Sequence, residues 1–341
     1  MLSYILKRIA LMLPTLLGVL TVAFVVIQFV PGGPVEQIMA QARIGAGGAY
    51  KARGDVDAKQ IEALKKLYGF DKPAHVRYVE MLKNFATFDL GTSFMQSKPV
   101  WSLIKEKLPV SISLGLWTFL LSYLISVPLG IAKAVREGSR FDAVSTFFVM
   151  FGFAIPGFVL GVFLIVLFSG GTFWELFPLR GLTSDNWHEL SWGGRIRDYF
   201  WHLALPLTCL VVGSFATVTM LTKNTFVEEM RKQYVLVARA KGLAHPRVLW
   251  KHILRNALVP LVTGLPAAFI GAFFTGALLI ETLFSLDGLG LLSYEAIVRR
   301  DYPVVLGSLY LFTLIGLVVK LIADVLYVVV DPRVQFQSVA K

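Results

Sequence analysis

The sequence predicts an all-α polytopic membrane protein with six transmembrane helices, and three observations lead to that prediction. Of the 341 residues, 56% are apolar and only 16% are charged, and the mean hydropathy is +0.67. Soluble domains hold about 45–50% apolar and about 25% charged residues, so a water-soluble enzyme and a disordered chain are both excluded. The apolar residues form long runs, and Lys and Arg are distributed unevenly between the connections.

The apolar runs have the length of membrane-spanning helices. A bilayer core of about 30 Å needs about 20 apolar residues in a helix, and long unbroken runs are typical of helices, not of alternating barrel strands. The first run is too long for the h-region of a cleaved signal peptide, which is about 7–15 residues, so we expect it to be retained. The predicted spans are residues 9–30, 111–135, 143–168, 203–221, 258–282 and 303–330.

Basic residues predict the orientation. An even number of spans puts both termini on one side, and Lys and Arg collect in short cytoplasmic connections. Eight Lys or Arg residues lie between spans four and five, and Lys133, Arg136 and Arg140 border the connection from span two to span three. The short connections on the other side hold Arg180, Arg195, Arg197, Arg299 and Arg300. Both termini are therefore predicted to be cytoplasmic. The net charge of +11 then needs no nucleic acid as partner.

Residues for enzyme chemistry are missing from the sequence. There is no P-loop motif, no zinc-protease helix motif, no Cys/His cluster and no nucleophile elbow. The five histidines are dispersed, and the single Cys209 cannot form an internal disulfide. We expect no catalytic residue, metal site or cofactor on this chain.

The connection between spans four and five is the most informative one. Residues 225–241 have helical character, with Phe226, Met230, Tyr234 and Val237 predicted on one face. Gly242 is suited to ending that helix, and Pro246 to starting the next. This basic helix–Gly–helix elbow can transmit force from a soluble partner into the membrane. Alternatively, it can be a solvated loop whose Lys and Arg residues only reflect its cytoplasmic location.

Three further features are candidate parts of a pathway or an interface. A Pro–Gly pair within span three can line a pathway or only bend the helix. Two opposite charges one turn apart in span six can be functional, or their side chains can pair with each other and extend to the cytoplasmic surface. Small residues at four-residue spacing in span five predict a packing seam, within the chain or to a second subunit. These residues are Pro156 and Gly157, Lys320 and Asp324, and Gly264, Ala268, Ala272 and Gly276.

The long first loop is expected to fold as a small helical cap. Its helical spacing is clearest at Val76, Val79, Leu82 and Phe85, after the turn at residues 71–73, and it is also present at residues 61–68. The cap can support the spans or form a docking surface. Residues 45–54, rich in Gly and Ala, are expected to be flexible.

The order of several short motifs resembles that of oligopeptide and dipeptide ABC importer permeases over nearly the whole chain. In the elbow the resemblance rests on Tyr234-Val235, Ala238-Arg239-Ala240-Lys241-Gly242, Val248-Leu249, residues 255–258 and Pro260. Elsewhere it rests on residues 68–73, Arg77-Tyr78, 89–93, 108–111, 281–285, 288–291 and 331–333. In this family the loop is called the EAA loop, after a Glu-Ala-Ala sequence. Here those three positions are Leu236-Val237-Ala238, so only the last Ala agrees. This difference puts in doubt only a specific role for a Glu.

The resemblance implies a type I ABC importer transmembrane fold and a set of partners. Residues 1–30 would be an N-terminal helix, 31–104 a periplasmic helical region, 105–332 the transmembrane core with its coupling loop at 223–257, and 333–341 a cytoplasmic tail. The implied partners are a second, homologous permease, two ATPase domains on one tandem chain that hold ATP and Mg²⁺, a periplasmic peptide-binding protein and membrane lipid. Ala238, Arg239, Ala240, Lys241, Gly242 and Arg247 would couple to the ATPase.

A finer resemblance concerns the membrane subunit of one peptide importer of Gram-negative bacteria, which in some species takes up the peptide-nucleotide antibiotic microcin C. It rests on residues 31–35, 138–142, 177–181 and 220–224. It implies location in the inner membrane and import of oligopeptides. The alternatives are a gradient-driven secondary transporter using Lys320 and Asp324, a non-transport assembly scaffold, and an ABC permease for another small solute such as nickel or a sugar.

Overall fold

The computed structural model describes residues 2–30, 62–63, 66, 69–171, 173–274 and 277–330. These residues form helices and turns, with a single antiparallel bridge between Thr92 and Pro99. The flexible stretch predicted at 45–54, most of the helical spacing at 61–68 and the tail after residue 330 lie outside the described residues. The helices are α1 (Leu2–Phe29), α2 (Ala74–Ala86), α3 (Val100–Val135), α4 (Arg140–Ala154), α5 (Gly157–Phe168), α6 (Trp192–Met230), α7 (Gln233–Ala240), α8 (His245–Ala257), α9 (Val259–Phe274), α10 (Ala277–Leu283), α11 (Leu289–Val298) and α12 (Tyr302–Val330).

In the described part of the chain, four helices, α1, α3, α6 and α12, are each long and apolar enough to cross a membrane. Two bent pairs, α4 with α5 and α8 with α9, raise the possible number of spans to six. The predicted helical membrane architecture is therefore confirmed, and the predicted segments fall on these helices and on α10. The count of six and the cytoplasmic termini stay predictions.

The predicted Pro–Gly bend in span three is confirmed, and it is larger than a kink. Helices α4 and α5 meet at 93°. Ile155 takes an extended conformation with ψ 119°, as residues before proline do, and Pro156 precedes the first residue of α5. Proline lacks the N–H that would continue the helix, so the chain turns and α5 starts in a new direction.

The helices pack into two compact units. One holds the described residues of 1–109 and 291–318, and the other those of 110–290 and 319–341. In the first unit, the predicted amphipathic helix is confirmed as α2, and its Phe85 is buried 5.1 Å from the ring of Tyr310. The predicted boundaries after residues 30, 104 and 332 stay predictions.

The described residues of the second unit form two hydrophobic cores. One joins α3, α6 and α10 through Leu114, Leu203 and Ile280. The other joins the end of α3, the end of α6 and the elbow through Ala134, Phe226, Val235, Val248 and Ile253. The second core makes the elbow part of the packed unit, and this packing positions the candidate site.

Candidate functional site

The elbow is a short helix with a tight end. Gly242 has φ +77°, a left-handed conformation that glycine adopts without strain. Its N–H donates to the carbonyl of Arg239 at 2.9 Å, and the N–H of Leu243 donates to that of Ala238 at 3.3 Å. These two bonds form a Schellman cap. The predicted helix end at Gly242 is confirmed, and α8 begins at His245 with Pro246 in its first turn, as predicted.

The single helix predicted over residues 225–241 is wrong. Helix α6 ends at Met230, and Lys232 is extended with ψ 149° before α7 begins. This break resets the helical register, so Val235 and Ala238 are buried while Val237, predicted on one face with Phe226, is 52% exposed. Leu236, 60% exposed, lies beside it. The elbow therefore presents an exposed apolar pair, Leu236 and Val237.

The six predicted coupling residues divide by exposure. Ala238 is buried in the core under the elbow and makes no surface. The other five, Arg239, Ala240, Lys241, Gly242 and Arg247, are exposed. With Leu236 and Val237 they form a surface that combines basic and apolar side chains, a composition that suits a protein-docking surface. We call these seven exposed residues the elbow surface.

Tyr234 ties the elbow to the end of α6. Its hydroxyl donates to a carboxylate oxygen of Glu229 at 2.6 Å, and Lys232 pairs with the same carboxylate. Burial, with Glu229 close by, raises the pKa of Tyr234 to about 12. The hydroxyl thus stays protonated at neutral pH and remains a donor. The break between α6 and α7 is held by these side chains.

A buried charge cluster joins α3, α4 and α6 near the elbow. Lys133 is fully buried, and its Nζ lies 3.2 Å from Oδ1 of Asp142 and 2.7 Å from Oγ1 of Thr146. Lys223 Nζ lies 2.8 and 2.7 Å from the two oxygens of the same carboxylate. The cap of α4 fixes Asp142, because Ser139 accepts from its N–H and Gly138 donates to its carboxylate.

This charge cluster was missed in the sequence. Lys133 counted only as a topology signal, and Asp142 only as part of a motif. The only local signal is the capping pattern Ser139-x-x-Asp142 at the start of α4. Buried charges persist when they are paired and hydrogen-bonded, so the cluster holds three helices in one arrangement next to the elbow.

A cavity of about 490 Å³ lies inside the second unit. Hydroxyl groups line it together with apolar side chains. Ser122 and Ser214 are hydrogen-bonded to each other at 2.7 Å, whereas the buried hydroxyl of Thr118 has no hydrogen-bond partner among the described residues. The lining residues include Thr118, Phe119, Ser122, Tyr123, Gly157, Phe158, Cys209, Ser214, Thr217, Ala268, Gly271 and Leu279.

Of the predicted pathway residues, Gly157 lines this cavity, and Pro156 turns the chain into it. Lys320 and Asp324 are not among the lining residues; on α12 Lys320 is exposed and Asp324 is half-buried. The structure therefore brings the predicted break to the cavity and leaves the charged pair elsewhere in the same unit.

The predicted seam in α9 is only partly described. A Cβ atom added to Gly264 would meet no atom within 4 Å, so Gly264 packs against no other helix of this chain among the described residues. Ala268 lines the cavity. The side chain of Ala272 and all of Gly276 lie outside the described residues. Among residues that the structure describes, no group of three His, Cys, Asp or Glu residues can hold a metal ion.

Residues 126–336 match the family of binding-protein-dependent transport system inner membrane components. The chain is also 50% identical to the peptidoglycan transport system permease protein YejB of Agrobacterium fabrum, over 98% of both chains. The chain belongs to this permease family. Its members are transport subunits of the inner membrane, not enzymes.

Other relatives of this permease carry similar names. It is 48% identical to the inner membrane ABC transporter permease protein YejB of Escherichia coli O157:H7, covering 98% of this chain and 99% of the relative. It is 34% identical to the oligopeptide transport system permease protein AppB of Bacillus subtilis, covering 98% and 100%. Both resemblances predicted from the sequence are therefore confirmed, and the gradient-driven and scaffold alternatives have no support.

A solved structure shows the same fold. The MetNI methionine ABC transporter, described as inward-facing, matches with a TM-score of 0.50 at 18% identity, covering 67% of this chain and 96% of the matched chain. This likeness supports the predicted type I ABC permease fold.

Proposed function

We propose that this permease is one of two membrane subunits of an ATP-driven importer of peptides, and that it couples to its ATPase through the elbow surface. The observation that supports coupling is the construction of the elbow. Exposed Leu236 and Val237 stand beside Arg239 on a helix whose other side, Val235 and Ala238, is buried. A partner that binds the exposed side and moves would also move the hydrophobic core in which Val235 and Ala238 are packed.

The contacts give a route from the elbow to the cavity. Tyr234 and Glu229 join α7 to α6, and Lys223 joins α6 to α4 through Asp142. Helix α6 also carries Ser214 in the cavity wall. We propose that ATP binding and hydrolysis, with Mg²⁺, occur on the partner, and that they bias two packings of these helices which differ by a few kcal/mol.

The cavity is our candidate for this chain's half of the translocation pathway. Its hydroxyls can exchange hydrogen bonds with peptide amides, and its apolar walls fit varied side chains. We propose that a second, non-identical permease completes the pathway, and that the small face around Gly264 and Ala268 lies toward that subunit or toward the pathway. Lys320 and Asp324 stay secondary candidates.

The proposed assembly contains, besides the two permeases, two ATPase domains on one tandem chain and a periplasmic peptide-binding protein. We place it in the inner membrane of a Gram-negative bacterium, with both termini of this chain in the cytoplasm. The binding protein delivers cargo to the outer side, where we expect the first loop to receive it.

The proposed cargo is oligopeptides. The name of the Agrobacterium relative adds peptidoglycan as a cargo to test, and the finer resemblance adds peptide antibiotics such as microcin C. Nickel is the competing solute, but the relatives at 33–50% identity whose names state a cargo are named for peptide or peptidoglycan transport.

The test is purification of the detergent-solubilised chain from its native host with whatever binds it. We expect a second permease and a tandem ATPase, with ATP hydrolysis stimulated by a peptide-loaded binding protein. A chain that purifies without any ATPase contradicts the proposal. Uptake assays with an oligopeptide, a peptidoglycan-derived peptide, microcin C and Ni²⁺ then separate the cargoes.

A further inference from the structure

A second cavity, of about 240 Å³, lies in the first unit and plays no part in the proposed coupling route. Phe24 and Gln28, in the last turns of α1, line it together with Tyr302 and Pro303, in the first turn of α12. Both helices are long enough to cross a membrane, so a cavity at their ends lies at the membrane surface. The predicted topology makes that surface the outer one.

Arg77 of α2 lines this cavity and has an incomplete set of partners. Its Nη2 donates to Oε1 of Gln28 at 2.7 Å, and its guanidinium lies 5.0 Å from the ring centre of Phe70. Its Nε is buried and has no hydrogen-bond partner among the described residues. Burial lowers the pKa of Arg77, as expected for a cation that has lost water contacts.

The acidic residues of the same cavity do not neutralise Arg77. Glu80 is paired with Lys72 at 2.6 Å, and Oδ1 of Asp89 accepts from the N–H of Gly91 at 2.9 Å. Within the described part of the chain, no carboxylate lies within 4.0 Å of the Arg77 guanidinium. A partly buried guanidinium without a counter-ion favours an anion with oxygens in a plane or a fork, such as phosphate.

The surface beside the cavity is apolar. On α1, Leu17 is 40% exposed and Val25 46%, and both lie within about 60° of Gln28 around the helix axis. Such side chains on a membrane-spanning helix face hydrocarbon chains. A phosphate held at Arg77 would therefore have acyl chains next to it if the phosphate belongs to a lipid.

We propose that Arg77 and its cavity form a phosphate-binding subsite for the headgroup of a phospholipid at the outer membrane surface. The phosphate oxygens accept from Nε and the free guanidinium N–H groups, and the acyl chains lie along the exposed face of α1. The bound lipid holds α1, α2 and the start of α12 together. This site is separate from the elbow surface and does not depend on the proposed cargo.

The experiment is native mass spectrometry of the delipidated full-length chain, titrated with phosphatidylglycerol and separately with inorganic phosphate. Arg77→Gln removes the positive charge and the forked set of guanidinium N–H donors. Lys83→Gln, an exposed change on the same helix outside the cavity, is the matched control. We expect Arg77→Gln to weaken lipid binding about tenfold and Lys83→Gln to leave it unchanged.

Arg77→Lys serves as a second variant if Arg77→Gln fails to fold; it keeps the charge without the fork, and we expect intermediate binding. Binding of inorganic phosphate at Arg77 without preference for lipid would retain the subsite and assign it to a soluble phosphate. The proposal would be overturned if the natural chain, Arg77→Gln and Lys83→Gln all bound the lipid with the same affinity and all bound phosphate with the same affinity.

Discussion

Lys223 makes two short contacts, of 2.8 and 2.7 Å, with the single carboxylate of Asp142, which lies 81 positions earlier in the chain. Lys133, fully buried, approaches the same carboxylate from α3. One negative charge thus holds two positive charges from two other helices. The arrangement depends on Asp142 more than on either lysine.

Asp142→Asn should leave both lysines without their counter-ion. Removing one partner of a buried ion pair costs about 3–5 kcal/mol, so we expect a clearly lower midpoint of thermal unfolding for the assembled transporter. Glu137→Gln is the matched control, since Glu137 pairs with Arg231 at 3.0 Å on the exposed surface and should cost less than about 1 kcal/mol. Equal midpoints for the two variants would contradict a structural role for the cluster.

Gly242→Val should lower transport without preventing insertion of the chain into the membrane. A β-branched residue at φ +77° is strained by about 1–2 kcal/mol and distorts the turn. We expect the chain to reach the membrane but peptide uptake to fall, measured with a labelled peptide in cells. Gly171→Val carries the same strain at φ +67°, away from the elbow, and should preserve uptake. Normal uptake with Gly242→Val would argue against coupling through this turn.

Arg239→Glu and Leu236→Ala should weaken docking of the ATPase. Both side chains are exposed on the elbow surface, and central interface residues contribute about 2 kcal/mol or more. We expect less ATPase to co-purify with each variant. Arg140→Glu makes the same charge change at an exposed position outside the elbow. It should leave the amount of co-purified ATPase unchanged. If the ATPase is retained in full by both elbow variants, the docking surface lies elsewhere.

Thr118→Val tests whether the cavity carries cargo. The buried hydroxyl of Thr118 has no partner among the described residues, so replacing it with a methyl group of similar size should leave stability unchanged or raise it slightly. If cargo uses that hydroxyl, uptake falls at constant stability. Ser126→Ala is the contrast, because the Ser126 hydroxyl donates to the carbonyl of Phe215 at 2.8 Å and its loss should cost about 1 kcal/mol.

The Tyr234 contact predicts a pH dependence. Folding raises its pKa from the ordinary value near 10 to about 12, so the folded chain holds this proton more tightly than the unfolded chain. The stabilisation is complete below about pH 10 and is lost as pH rises toward 12. Thermal unfolding of Tyr234→Phe should therefore lack the alkaline loss that the natural chain shows between those values. An identical alkaline loss in both would assign it to another group.

What the sequence predicted correctly depended on local signals. Gly242 and Pro246 mark helix ends because only certain residues suit those backbone positions, and Pro156 bends span three for the same reason. The apolar runs found the helices because hydrocarbon requires a minimum length. Each of these inferences needs only a few neighbouring residues.

What the sequence did not predict depended on distant contacts. Lys223 and Asp142 meet only after α4 and α6 have packed, and nothing local indicates that pairing. The exposure of Leu236 and Val237 was missed because two residues, Arg231 and Lys232, interrupt the helix and shift its register. The cavity likewise combines residues from five helices, from Thr118 to Leu279.

The length of α6 has a mechanical consequence. Its 39 residues form a rod of about 58 Å, longer than the bilayer core, with Glu229 at one end and Tyr199 near the other. A rod that pivots by about 5° about one end displaces the other by about 5 Å, a distance comparable to one helical turn. A small push at the Glu229 end would thus be amplified by simple leverage, and Lys223, close to that end, lies where a fulcrum gives the largest gain.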